Sequence, residues 1–194
     1  MKQVTNDPVV QEKKTLGFWI YLMTDCVLFA GLFATFAVLH TSTFGGPSGA
    51  KLFDLPFVLV ETMILLTSSF TIGLAILGGA RGFKKQTLVW LIVTFALGAA
   101  FLTLELTEFS HLVADGNGWD RSAFLSSFFT LVGTHGLHIT IGLLWLLVMI
   151  VRLWKFNFRQ TDLNRLALFG LFWHFLDIVW IFIFSIVYLI GGLS

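Results

Sequence analysis

Five runs of continuously apolar residues, roughly 17–40, 55–78, 88–108, 124–151 and 168–190, constrain this chain more than any other feature. Each is long enough for a helix of about 17–25 residues to cross a bilayer. Strands of a membrane barrel would instead alternate apolar and polar positions over about ten residues. These runs do not alternate. In hydrocarbon a spanning segment must satisfy its own backbone groups, and within a single run only a helix does so. The fold class is therefore all-α integral membrane, with five transmembrane helices. Composition agrees, because the chain is 57% hydrophobic and 12% charged, whereas a soluble domain carries about a quarter charged residues. Three prolines and no polar linker leave no room for a separate soluble domain. The organisation read here is an N-terminal tail over 1–16 and a single membrane domain over 17–194.

The connectors are short: GGPSGAKLFD, GGARGFKKQ, ADGNGWDR and RLWKFNFRQTDLNR. Of the 12 Lys and Arg, all but Lys51 and Arg121 fall in the tail or in the second and fourth connectors. Five spans place those segments on one side of the membrane, so the basic residues predict a cytoplasmic N-terminus and a periplasmic C-terminus. Trp19, Trp90 and Trp154 near the cytoplasmic ends, and Trp119 near the opposite side, fit an interfacial belt. The opening segment, MKQVTNDPVVQEKKT, lacks the apolar core of a signal peptide, so the first run is read as a retained span. Cys26 is the only cysteine, which rules out an internal disulfide and a cysteine-based metal cluster. Gly31, Gly73, Gly98, Gly133, Gly136 and Gly142 are expected at close helix contacts.

Any chemistry must sit between the helices. Asp25, Glu61, Glu105, Glu108, His135, His138, His174 and Asp177 all lie inside spans, three pairs of them at i,i+3 on one helix face. An ionisable group at membrane depth costs at least ~2.5 kcal/mol on insertion scales and calls for a partner. A dimetal carboxylate bundle would use Glu-x-x-His pairs; here the pairs are Glu-x-x-Glu, His-x-x-His and His-x-x-Asp. Depth also separates the groups. Asp25, His174 and Asp177 fall about 9–14 Å from the cytoplasmic helix ends, while Glu105 and Glu108 fall within ~5 Å of the other end of their run. A haem held by His135 or His138 and His174 is a second reading, and a proton or ion path a third. The remaining reading is that these groups hydrogen-bond one another and fix helix register.

WHFLDIVW (173–180), VGTHGLHI (132–139) and YLMTDCVLFAGLF (21–33), each on a separate span, resemble subunit III of the haem–copper respiratory oxidases. The resemblance runs from Gly17 to Gly192. Many members of that family have seven helices in this subunit; five spans, GFWIYLM, GGPSG and LPFVLVET resemble its cytochrome o ubiquinol oxidase branch.

The resemblance implies an accessory, non-redox subunit supporting assembly, stability and lipid binding. Ubiquinol oxidation, oxygen reduction to water and proton pumping would belong to the complex. It implies no catalytic, cofactor or metal residue in this chain, with haems and copper in subunit I. The implied partners are subunit I, subunits II and IV, and phospholipids, in a bacterial cytoplasmic (inner) membrane, with no nucleic acid. The resemblance implies lipid binding at Arg152, which matches a position associated with a lipid phosphate, and at Asp25, which stands where other members often carry Glu. His138, His174 and Asp177 match motif residues with a structural role. The alternative is a free-standing membrane cytochrome or di-iron oxidase.

Overall fold

A computed structural model describes residues 8–43, 55–156 and 159–190. Five long helices account for almost all of them: α1 (Pro8–Leu39), α2 (Leu55–Ala80), α3 (Lys84–Ala114), α4 (Ala123–Lys155) and α5 (Gln160–Ile183). The last helix widens into a π-helical turn over Phe184–Ile190. All five are long and apolar enough to cross a membrane. The all-α, five-span expectation holds; which end faces the cytoplasm is not fixed by the helices themselves. Lys2, the first connector with Lys51, and the terminal GGLS lie outside the described residues.

Helix boundaries follow local chemistry. Pro8 opens α1, where its missing N–H costs nothing. This helix therefore takes in Pro8–Leu16, read above as part of a tail. Gly82, at φ 78°, makes the tight turn between α2 and α3, and Gly116, at φ 74°, turns the chain after α3. Both are backbone conformations that glycine adopts without steric cost. The Gly116 carbonyl accepts from Arg121 Nη1 at 2.9 Å. Ser122 caps α4 by accepting from the Leu125 N–H, as short polar side chains do at this position. The Asp162 carboxylate accepts from the Arg159 N–H at 3.1 Å, closing the first turn of α5.

The α2–α3 hairpin forms the most extensive pairing, and α5 packs against α1, α2 and α4. Within its most apolar 18-residue window α5 is 56% buried, whereas α1 is 22% buried. The stretch FWHFLDIVWIFIF is thus the centre of the bundle, and Trp173, Trp180 and Tyr188 are its largest fully enclosed side chains. Trp119 and Trp154 lie exposed near helix ends, as an interfacial belt requires.

One boundary differs from the sequence reading in a way that matters. Polar Ser110 and His111 end the apolar run near 108, yet the α3 backbone continues helical to Ala114. At 1.5 Å per residue this puts Glu108 about 9 Å and Glu105 about 14 Å inside the helix end, rather than within ~5 Å of it.

Candidate functional site

The polar residues of the spans form three groups and one end cluster. In the first, His138 Nε2 on α4 approaches Asp25 Oδ2 on α1 at 3.7 Å, with both side chains largely buried. His138 Nδ1 is bonded to the Thr134 carbonyl at 2.8 Å. That bond sets the ring so that its other nitrogen faces α1. Phe29 covers this pair, its ring 5.3 Å from the imidazole. The Tyr21 hydroxyl is directed at the same carboxyl. This group joins α1, the least buried helix, to the rest.

The second group joins α5 to α2. His174 Nδ1 lies 2.6 Å from Ser69 Oγ and 3.7 Å from Asp177 Oδ2, and Asp177 is buried. Next to it Trp173 Nε1 donates to Ser68 Oγ at 2.9 Å. The Trp173 ring fills a slot cut by two glycines. A Cβ on Gly98 or on Gly142 would come within 2.9 Å of it. Here the expectation of close packing at glycine is met, with an indole rather than a backbone as the occupant.

The third group lies toward the N-terminal end of α2. Glu61 on α2 and Glu105 and Glu108 on α3 are within Coulombic reach of one another. Tyr188, from the π-helical turn, donates its hydroxyl to Glu108 Oε2 at 3.0 Å. Glu105 lies against α4, where a Cβ on Gly136 would be 2.6 Å from its Oε1. The glycine between the two histidines of VGTHGLHI therefore makes room for a carboxyl. The three acidic groups thus converge, with Glu105 and Glu108 deeper in α3 than the end of its apolar run suggests. Hydrogen bonding of the expected kind holds Glu108. It does not hold Glu61, whose carboxyl oxygens have no hydrogen-bond partner among the described residues.

The histidines do not face one another. His135 is fully buried, stacked on Trp180 at 5.2 Å and edge-on to Phe101 at 6.1 Å. His138 is turned toward α1 and His174 toward α2, so the pairing needed to clamp a haem between α4 and α5 is not assembled. Nor do any three His, Cys, Asp or Glu side chains gather in a way that could hold a metal ion among the described residues.

The end cluster contains a residue that sequence reasoning missed. Arg152 Nε meets Asp162 Oδ1 at 2.8 Å, and Arg165 Nη1 approaches the same oxygen at 4.0 Å. These three, with Trp145, Met149 and Leu153, line a cavity of about 180 Å³. In sequence Asp162 reads as one more solvated charge of a connector; its place as the third residue of a helix is the available signal.

Against known proteins, residues 3–192 match the family described as cytochrome c oxidase subunit III. The chain is 60% identical to the cytochrome bo(3) ubiquinol oxidase subunit 3 of Pseudomonas aeruginosa over 91% of its own length and 85% of the relative's. It is 45% identical to the protein of that name from Buchnera aphidicola over 98% of both chains. It is 46% identical to the cytochrome c oxidase subunit 3 of Bacillus sp. strain PS3, over 93% of its length and 87% of the relative's. Its five long apolar helices make it a multi-pass membrane protein, and similarity of this extent makes it an accessory subunit of a terminal oxidase: the chain belongs to the cytochrome c oxidase subunit III family.

Proposed function

We propose that this chain is the third subunit of a quinol-oxidising, proton-pumping terminal oxidase in a bacterial cytoplasmic membrane. The observation that supports quinol over cytochrome c is the identity of 60% and 56% to the ubiquinol oxidase subunits of two Pseudomonas species, above the 40–46% shared with other quinol and cytochrome c oxidase subunits alike. The complex would oxidise ubiquinol and reduce oxygen to water on haems and copper held by subunit I. This chain would contact subunit I, and subunits II and IV would complete the assembly. Its own contribution would be mechanical. Trp173, Trp180 and Tyr188 each commit their polar atom to a neighbouring helix, a use that fixes helix register rather than performing chemistry.

In this reading residues 1–16 begin on the cytoplasmic side and residues 17–194 form one membrane domain with a periplasmic C-terminus. The Lys- and Arg-rich helix ends support that orientation. Arg152 would hold a phospholipid headgroup. Asp162 engages it through Nε, and its guanidinium stands at the mouth of the cavity with its side chain 37% exposed. Its terminal nitrogens therefore remain for a phosphate. Asp25 would stabilise the α1 seam beside the lipid, and Glu61, Glu105, Glu108, His135, His138, His174 and Asp177 would be structural.

The test is to purify the oxidase with and without this chain and follow oxygen uptake with ubiquinol over repeated turnovers. The expected result is equal initial rates and a faster decline in the depleted complex. Immediate loss of activity together with the haem spectrum would overturn the reading. Arg152→Ala should reduce the anionic phospholipid recovered with the complex by about half or more, since a charge-assisted pair is worth ~1.5–3 kcal/mol.

A further inference from the structure

We infer that the outer face of α2 around Gly73, with His174 beside it, is a docking notch for a transmembrane helix of the oxidase core subunit; this rests on the proposed function. The feature is a groove on the membrane side of the α2–α5 seam, walled by Leu66, Phe70, Leu74 and Leu77. Its floor is small or polar, made by Ser69, Gly73 and His174. A Cβ placed on Gly73 would meet nothing within 4 Å among the described residues, so none of these packs against this glycine. Ser69 and Gly73 are one turn apart, the small-xxx-small spacing at which two membrane helices approach closely.

The second observation is independent of shape. The His174 side chain is 46% exposed, and its contacts with Ser69 and Asp177 both run through Nδ1. Nε2 therefore points out of the bundle. His174 is the fifteenth residue of α5 and Ser69 the fifteenth of α2. Each thus lies about 21 Å along its helix, well inside the hydrocarbon layer. Ionisable side chains at such depth almost always face a bundle interior or a water-filled cavity. A half-exposed imidazole there is interior to something larger than this chain. Phospholipid headgroups sit about 15 Å from the bilayer centre and cannot reach it. A helix can, provided it carries one hydrogen-bonding side chain opposite Nε2 and small or apolar residues against Gly73. The exposed face of α1 offers no comparable polar floor, since Leu16, Trp19, Ile20, Met23 and Val27 dominate it.

The experiment places an affinity tag on this chain, expresses it with the other oxidase subunits, and measures haem absorbance recovered per mole of tagged chain. Gly73→Leu fills the notch without disturbing this chain's own packing. Gly31→Leu is the control, at another site with nothing within 4 Å. The expected results are a loss of recovered haem of about tenfold or more for Gly73→Leu, about threefold for His174→Ala, and none for Gly31→Leu. If the wild-type chain recovers no haem, the proposed function fails. If it does, and either Gly73→Leu or His174→Ala recovers as much, the docking notch is wrong and lipid or a small molecule covers this face.

Discussion

Two sets of glycines divide this bundle. Gly98, Gly136 and Gly142 face space already taken by Trp173 and by the Glu105 carboxyl, whereas Gly31 and Gly73 face none of the described residues. The first set lies on α3 and α4, across from side chains of the same chain; the second lies on α1 and α2, where their surfaces look outward. The difference teaches that a glycine in a membrane helix records an approach without saying by whom. On the inside the visitor is a large side chain of the same polypeptide. On the outside it must come from another molecule or from lipid.

That contrast can be broken at its strongest point first. Trp173 is fully enclosed and its indole N–H is bonded to Ser68. Trp173→Ala should cost about 3 kcal/mol of stability, because it empties that site, while the Ser68 hydroxyl keeps its bond to the Leu65 carbonyl. Denaturation of the detergent-solubilised chain would measure it, and a loss under ~1 kcal/mol would mean that the slot collapses freely. Gly142→Ala comes next, where the new methyl would meet the rigid Trp173 ring at 2.9 Å and Phe172 at 3.2 Å. Overpacking of that kind should cost about 2 kcal/mol. Tyr188→Phe removes one interhelical hydrogen bond, to Glu108, and should cost about 0.6 kcal/mol in the same assay. Gly31→Ala sharpens the comparison from the other side, because open space lies beyond it. The change in stability should stay within about 0.5 kcal/mol.

A sequence carries only part of this. The five spans are legible because hydrophobicity over about twenty residues is a solvent property, independent of neighbours. The eight ionisable residues of the spans are legible too. Their grouping is not. Glu105 and Glu108 meet Glu61 through the packing of α3 on α2, and they lie deeper than the apolar run suggests because α3 stays helical past Ser110 and His111. The three histidines share a helix pattern but turn to three different elements, a consequence of ring orientation that spacing does not encode. Asp162 is hidden by its charged surroundings, and its partner Arg152 belongs to the preceding helix. In one dimension the six span glycines carry equal weight; only the packed bundle separates those already covered from those still open.

If the interior of this chain is filled by packing and register-setting contacts, the chemistry it supports is done elsewhere. The most direct measurement is the iron and copper content and the visible spectrum of this polypeptide expressed and purified by itself. The account predicts no stoichiometric metal and no haem absorbance in a folded, helical sample. Iron or copper bound at one per chain would contradict it.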